Sequence, residues 1–374
     1  MLLLKNANLY GEKIAHILIA QDKIEAIYDS YPSDLSFPNL EIRDLEESIV
    51  IPALIDQHVH VTGGGGEGGM TTRCPELEIS DVIDAGVGTI VGLLGTDSLT
   101  RSVENLLAKT KSLREYGFLA YCLTGAYQYP VPTLTDSVMK DIAFIDEVIG
   151  VKIALNDHRS SHISYNEMKR LAADVRMAGL IGKKPGVVHV HMGNGKHGLS
   201  QIFDLIENEN IPASVFRPTH MSNHMEAAKI LTELGSYADF TTFEDSYKSA
   251  GIVDKALKTC IKDKVTMSSD SNGSMPKWNE KREMIGIGIG KMSTLFDTVK
   301  SLVNDYGYSL REALLPCGEN VARSLNIFPM VGSLQENSLA NLLVLDEKLN
   351  IKDFLLNGKY IKENYTNTMQ VNFR

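Results

Sequence analysis

The chain has 374 residues, 43% hydrophobic and 22% charged, with a net charge of −10. That length suits one large barrel with an appendage, or two domains, and the acidic balance argues against nucleic acid or an anionic membrane as a partner. Four scattered cysteines, Cys74, Cys122, Cys260 and Cys317, form no CxxC pair; they suggest neither a disulfide framework nor a thiolate zinc site, and fit a reducing, cytoplasmic setting.

The start, M-L-L-L-K-N-A-N-L-Y-G, has neither a basic leader nor a small-residue cleavage site, so it reads as a strand and turn rather than a signal peptide. Segments 2–8, 14–20 and 23–28 are short alternating β runs separated by turn residues. Segments 340–345, 352–357 and 359–362 repeat that texture, with Asn357 and Gly358 as a hairpin signal. Strands this short do not bury their faces alone. The two ends are therefore expected to meet in one small β-sandwich domain, 1–49 plus 331–374.

Between them, apolar runs recur near 50–61, 86–95, 118–127, 150–157, 186–193, 214–221, 238–243 and 264–270, each followed by a helical pattern. Continuous apolar runs alternating with helices indicate parallel strands buried on both faces. Eight such units predict an α/β fold with a (β/α)8 TIM-like barrel over 50–330; an open doubly wound sheet is the alternative. No run of about 18 apolar residues occurs, so no membrane span is expected. The G-I-G-I-G-K at 286–291 fails the phosphate-loop spacing, with Ile285 where the first glycine belongs and Met292 after the lysine. It reads as the approach to a helix.

In such a barrel the active site lies at the C-terminal strand ends. His58 and His60 end the first strand, Tyr127 the third, His189 and His191 the fifth, His220 the sixth and Asp270 the eighth. Lys152 lies in the fourth, with Asp157, His158 and Arg159 just beyond. A lone histidine is more often a satisfied core or surface group than a ligand, which is the reading for His16, His162, His197 and His224. The pair His58 and His60 differs. Strand period two puts both on one face, and burying polar groups without partners costs about 1–3 kcal/mol each.

Four imidazoles and a carboxylate at these strand ends point to a metal site suited to Zn2+, with Mn2+, Co2+, Ni2+ or Fe2+ as alternatives. Five ligands exceed one tetrahedral site. Two ions need a bridging anion, and no obvious Asp or Glu in the fourth strand supplies it. Lys152 supplies one if its neutral amine takes up CO2 to become a carbamate; a buried ion pair is the competing role, and spacing leaves both open. His189 and His191 share a face, and His191, nearer the mouth, is preferred.

Seven stretches carry a resemblance that runs over essentially the whole chain. They are D-Q-H-V-H-V-T-G-G-G-G-E-G-G at 56–69, V-G-L-L-G-T-D at 91–97, L-T-G-A-Y at 123–127, V-I-G-V-K…D-H-R-S across 148–160, G-K-K-P-G-V-V-H-V-H-M-G at 182–193, R-P-T-H at 217–220 and S-S-D-S-N-G-S at 268–274. Together they resemble the amidohydrolase superfamily and, within it, the isoaspartyl (β-aspartyl) dipeptidases. The HxH pair marks only the superfamily; the tetraglycine–glutamate loop, G-A-Y and D-H-R-S are more specific.

The resemblance implies metal-dependent hydrolysis of the β-aspartyl bond in small dipeptides at a binuclear zinc centre. His58, His60 and Asp270 would hold one ion and His191 and His220 the other, bridged by carboxylated Lys152 and a hydroxide. Asp270 would shuttle the proton and Tyr127 would donate to the oxyanion. Glu67 would pair with the substrate ammonium, and Gly65 would offer a backbone N–H to its α-carboxylate, helped by Thr96 and Ser274. Arg159 would take the leaving residue's carboxylate.

The family pattern has a second arginine three residues past the sixth-strand histidine. This chain has Asn223 there, with His224 beside it, which predicts a weaker or altered hold on the leaving side. The resemblance also implies a homo-oligomer. Two other readings stand beside it: another amidohydrolase, such as an N-acyl-amino-acid deacylase or a dihydroorotase-like cyclic amidase, and a non-catalytic homologue.

Overall fold

The computed structural model describes residues 1–278 and 284–371. They fall into two compact units: Met1–Ile55 with Glu78–Thr89 and Val299–Arg374, and Asp56–Leu77 with Ile90–Thr298.

The first unit carries strands from both chain ends in one nine-stranded sheet. Leu2–Leu9 runs antiparallel to Lys13–Ala20, which pairs with Lys23–Tyr28. Ile49–Pro52 lies parallel to Leu2–Leu9 and antiparallel to Leu342–Leu345. Ile351–Leu356 and Lys359–Glu363 continue the sheet. Their turn is the one the sequence signalled: Asn357 and Gly358 both have positive φ, 52° and 74°, as a tight hairpin requires. Alternate residues Leu2, Leu4, Ile17, Ile19, Leu342 and Val344 meet in one buried cluster. Each such side chain contributes about 1.5–3 kcal/mol on burial.

The second unit carries most of an α/β fold built on a curled parallel sheet. The six strands of that sheet follow chain order: Leu54–Val59, Val87–Gly92, Leu119–Gly125, Val148–Leu155, Val187–Met192 and Phe216–Thr219. The first, second and fourth are buried at every residue, as two-sided burial demands. The seventh and eighth strands, Ala238–Thr241 and Val265–Ser268, form a separate parallel pair.

Hydrogen bonds tie that pair to both edges of the sheet. Asp239 of the seventh strand accepts from Gln57 (2.8 Å), Thr219 (2.7 Å), Thr266 (2.9 Å) and Ser268 (2.6 Å). One buried carboxylate thus satisfies four donors on three other strands and is itself satisfied. Val59 and Ser271 form a parallel bridge, and His60 N–H donates to Ser271 O at 2.9 Å.

Helices separate the strands and start on local caps. Ser102 accepts from Asn105 N–H before Val103–Glu115. Glu167 accepts from Ser164 N–H before Tyr165–Gly182, and Asp245 from Lys248 N–H before Ser246–Thr259.

Two expectations shift. The run near 50–61 is two strands, because Pro52 lacks an N–H and closes the segment that belongs to the nine-stranded sheet. The glycine run at 286–291 lies largely in a strand, Met284–Ile289, paired antiparallel with Ser274–Trp278. The helix Thr294–Asn304 begins after it.

Candidate active site

The first strand delivers His58 and His60 to the same end of the sheet, 1% and 5% exposed. Their Nε2 atoms lie 3.3 and 3.0 Å from Asp270 Oδ1. His220 and Asp270 follow the sixth and eighth strands, both in the left-handed region at φ 62° and 53°. Such a conformation costs a non-glycine residue about 1–3 kcal/mol and gathers at functional sites. One ligand atom from each of His58, His220 and Asp270 lies within 4.8 Å of the other two.

Lys152, fully buried in the fourth strand, places Nζ 3.4 Å from His58 Nε2. His191 has Nδ1 2.7 Å from the Tyr127 hydroxyl and Nε2 3.1 Å from Asp157 Oδ2. His60, Tyr127, Asp157, His191, His220 and Asp270 line a cavity of about 300 Å³. A cavity of about 380 Å³ in the other unit, beside Tyr10 and Arg311, gathers no imidazole.

Burial governs the charges. It lowers Lys152 to about 7 and His191 to about 4, and it holds His58, His189 and His220 well below the usual imidazole value. It raises Tyr127 well above the ordinary phenol range, so the hydroxyl keeps its proton. Burial also works against ionisation of Asp157, yet hydrogen bonds from Arg159 and His191 hold its carboxyl far below the carboxylate range.

The glycine loop forms the rim. Glu67 accepts from Ser274 Oγ at 2.5 Å and Thr96 Oγ1 at 3.0 Å, and pairs with Arg159 Nη1 at 3.3 Å. Thr96 and Ser274, expected as donors to substrate, here donate to Glu67. Gly65 has φ 75°, and a Cβ on it would lie 2.4 Å from Thr72 O, so only glycine fits. Asn223 is exposed and donates to Asn194 Oδ1 at 3.1 Å. His224 Nε2 lies 3.1 Å from Gly193 O, tied to backbone. His16 is satisfied, accepting Asn6 N–H at 3.2 Å.

The amidohydrolase family model matches residues 49–368. The chain belongs to the amidohydrolase family. Two solved amidohydrolases resemble it along its whole length, both β-aspartyl dipeptidases from Fervidobacterium islandicum AW-1. One, in complex with β-Asp-Leu dipeptide, has TM-score 0.93 and 35% identity, covering 100% of this chain and 98% of that one. The other has TM-score 0.90 and 34% identity, covering 100% of both. A dihydroorotase from Bacillus cytotoxicus is 27% identical over 251 residues, 62% of this chain and 54% of the relative. The chain thus spans about half the length of the curated relatives it matches.

Members of the family are typically metal-dependent hydrolytic enzymes, and these residues fit a metal. His60 Nδ1 and His220 Nε2 are buried without a hydrogen-bond partner, and Asp270 Oδ1 has the Nε2 atoms of His58 and His60 beside it. Such atoms are costly unless something coordinates them. His220 Nδ1 lies 2.6 Å from Thr241 Oγ1, so the orphaned Nε2 is the nitrogen available to an ion.

Three functional contacts escape sequence reasoning. Asp157 grips Arg159 through Nε (2.9 Å), Nη2 (2.8 Å) and backbone N–H (2.8 Å). Arg101 donates to Thr62 O, Gly64 O and Cys74 O at 2.8, 2.7 and 2.6 Å, knitting the glycine loop. His189 Nε2 lies 2.8 Å from His58 Nδ1. Only the first left a signal, an acid two residues before an arginine. No described helix is long and apolar enough to cross a membrane.

Proposed function

We propose that this chain hydrolyses the β-aspartyl peptide bond of dipeptides with two divalent metal ions, Zn2+ being the ion the donor set suits best. One observation carries the substrate reading. Glu67 stands at the rim of a metal-ligating cluster, braced by Thr96, Ser274 and Arg159, where a β-aspartyl residue presents its α-ammonium. The 35% identity over the whole chain to a dipeptidase solved with β-Asp-Leu supports it.

In this reading His58, His60 and Asp270 would hold one ion and His191 and His220 the other, with Lys152, as a carbamate, supplying the anion the pair needs. Capture of CO2 needs a neutral amine, and at a value of about 7 much of Lys152 is neutral under physiological conditions. When bound, the ions supply Lewis acidity to the scissile carbonyl and bring the pKa of water towards neutrality. Asp270 takes the proton of the attacking water and gives it to the leaving amine. Tyr127 donates to the developing oxyanion.

Gly65 N–H would orient the α-carboxylate while Glu67 takes the ammonium; Thr96 and Ser274 would reach that carboxylate only by turning their hydroxyls away from Glu67. Arg159, fixed by Asp157, turns its remaining N–H groups to the leaving residue's carboxylate, with Asn223 beside it in the same cavity.

The same reading closes the eight strands into a (β/α)8 barrel over 50–330 and makes residues 1–49 plus 331–374 a β-sandwich. The bonds from Asp239 and Ser271 to both sheet edges support closure. A cytoplasmic homo-oligomer is proposed from the family resemblance, and four free cysteines support a reducing setting.

The test compares β-aspartyl-leucine, α-aspartyl-leucine and dihydroorotate, using zinc-loaded protein with bicarbonate. Leucine release from the β-linked peptide alone is expected. Protein holding two metals that opens dihydroorotate and spares both peptides would overturn the substrate and favour a cyclic amidase.

A further inference from the structure

His189 shares its strand face with His191 and has no part in the metal centre proposed above. Strand Val187–Met192 sets it opposite Lys152 in register. Its ring packs against His58, with centroids 5.0 Å apart and His189 Nε2 2.8 Å from His58 Nδ1. Both rings are buried, 3% and 1% exposed.

A contact that short between two ring nitrogens needs one proton between them. Two arrangements supply it. If His189 Nε2 holds the proton, His58 Nδ1 accepts, and the neutral His58 ring carries its own hydrogen on Nε2. That blocks the atom lying 3.3 Å from Asp270 Oδ1 and 3.4 Å from Lys152 Nζ. If His58 Nδ1 holds the proton, Nε2 presents a bare lone pair to the Asp270–His220 cluster.

We propose that His189 is a positioning residue: it accepts the Nδ1 proton of His58 and so fixes the ring orientation and tautomer in which His58 Nε2 ligates a divalent cation. Ligating histidines generally donate their second nitrogen to a carboxylate, a backbone carbonyl or water, and loss of that partner typically weakens metal binding by about 10–100-fold. Here the acceptor is a second imidazole, carried by another strand of the same parallel sheet. The H-V-H of the fifth strand then has two jobs on one face: His191 at the mouth, and His189 beneath it behind the first-strand ligand.

The inference rests on the metal-centre reading, and its test keeps the two apart. Metal-free protein with His189, His189→Gln or His189→Leu is titrated with Zn2+ against a chromophoric chelator. Co2+ titrations record the visible ligand-field bands, and the melting temperature of each metal-free form is taken alongside. Glutamine keeps an acceptor oxygen; leucine keeps bulk without one. The glutamine form is expected to bind within about threefold of the parent, and the leucine form about 10–100-fold more weakly at one of two sites, with altered Co2+ bands.

Should the leucine form not fold, His189→Asn, polar but too short to reach Nδ1, carries the same expectation. Equal affinities and equal bands across the variants would overturn the role of His189. A parent protein that binds no metal would overturn the metal centre instead.

Discussion

Glu67 and Arg159 neutralise each other across the cavity rim at 3.3 Å, while Asp157 holds the far side of the same guanidinium. In the proposed function a zwitterionic substrate would replace that contact at both ends, its ammonium taking Glu67 and its terminal carboxylate the freed Arg159 N–H. Hydrogen bonds to charged groups are worth about 1.5–3 kcal/mol. Glu67→Gln should therefore lower kcat/KM for β-aspartyl-leucine by about 10–150-fold and leave turnover of any cyclic amide unchanged. An equal loss on both would mean that Glu67 supports the loop rather than the ammonium. Arg159 faces the leaving side with the neutral Asn223, so a β-aspartyl amide without the terminal carboxylate should lose only about tenfold against the dipeptide. Equal turnover of the two would remove Arg159 from that role.

Lys152 gives the pH prediction. Its folded value, about 7, lies below the ordinary 10.5 because burial disfavours the cation. The amine is therefore protonated below about 7 and neutral above it, a shift opposite in direction to that of a lysine stabilised by an acidic partner. At fixed dissolved CO2, the rate at which metal-free protein regains two metals should rise about tenfold from about pH 6 to about pH 8 and then level off. A flat profile would mean that Lys152 does not capture CO2. The HxH pair and Lys152 were legible because polar residues in otherwise apolar strands have few structural uses. The choice between His189 and His191 was not, because period two gives both the same face.

At the scale of the element, the strands of the parallel sheet were the easiest to read, since burial on both faces leaves an uninterrupted apolar run such as V-I-G-V-K-I-A-L at 148–155. The hairpin of Ser274–Trp278 with Met284–Ile289 was not. Its second strand, M-I-G-I-G-I, alternates isoleucine with glycine, and interior glycines weaken a strand reading. The loop 62–74 was legible as a run of glycines but not as a built element, because Arg101, which fastens three of its carbonyls, lies far away in sequence. That fastening gives a prediction. Gly65→Ala places a Cβ 2.4 Å from Thr72 O at φ 75°, so the loop must shift and carry its N–H away from the substrate carboxylate. KM for the dipeptide should rise at least tenfold while metal content stays at the parent level. Unchanged KM would show that the loop's backbone does not touch the substrate.

At the scale of the whole molecule, the compact unit holding the chain ends also takes Glu78–Thr89 and the chain from Val299 onward. These stretches look in sequence like any other strand and helix, so only the tertiary contacts separate them. The metal-ligating cluster has a wider reach than any single element. The residues proposed for it come from the first, fourth and fifth strands and from the turns after the first, sixth and eighth, and His60 Nδ1 and His220 Nε2 are buried without a hydrogen-bond partner. A metal-free protein thus keeps several poorly satisfied polar atoms in its core, and an ion that binds only the folded state stabilises it by mass action. At about a thousandfold excess over Kd, one site contributes about 4 kcal/mol, which for a unit of this size corresponds to about 8–16 °C in Tm. Chelation should lower the melting temperature by that order, and Zn2+ with bicarbonate should restore it, whereas Zn2+ with CO2 excluded should restore it only in part. An unchanged Tm in protein shown to have gone from two metals to none would mean that the cluster is fully satisfied without an ion. The case for a metal centre built on the approach of His58, His220 and Asp270 would then fall.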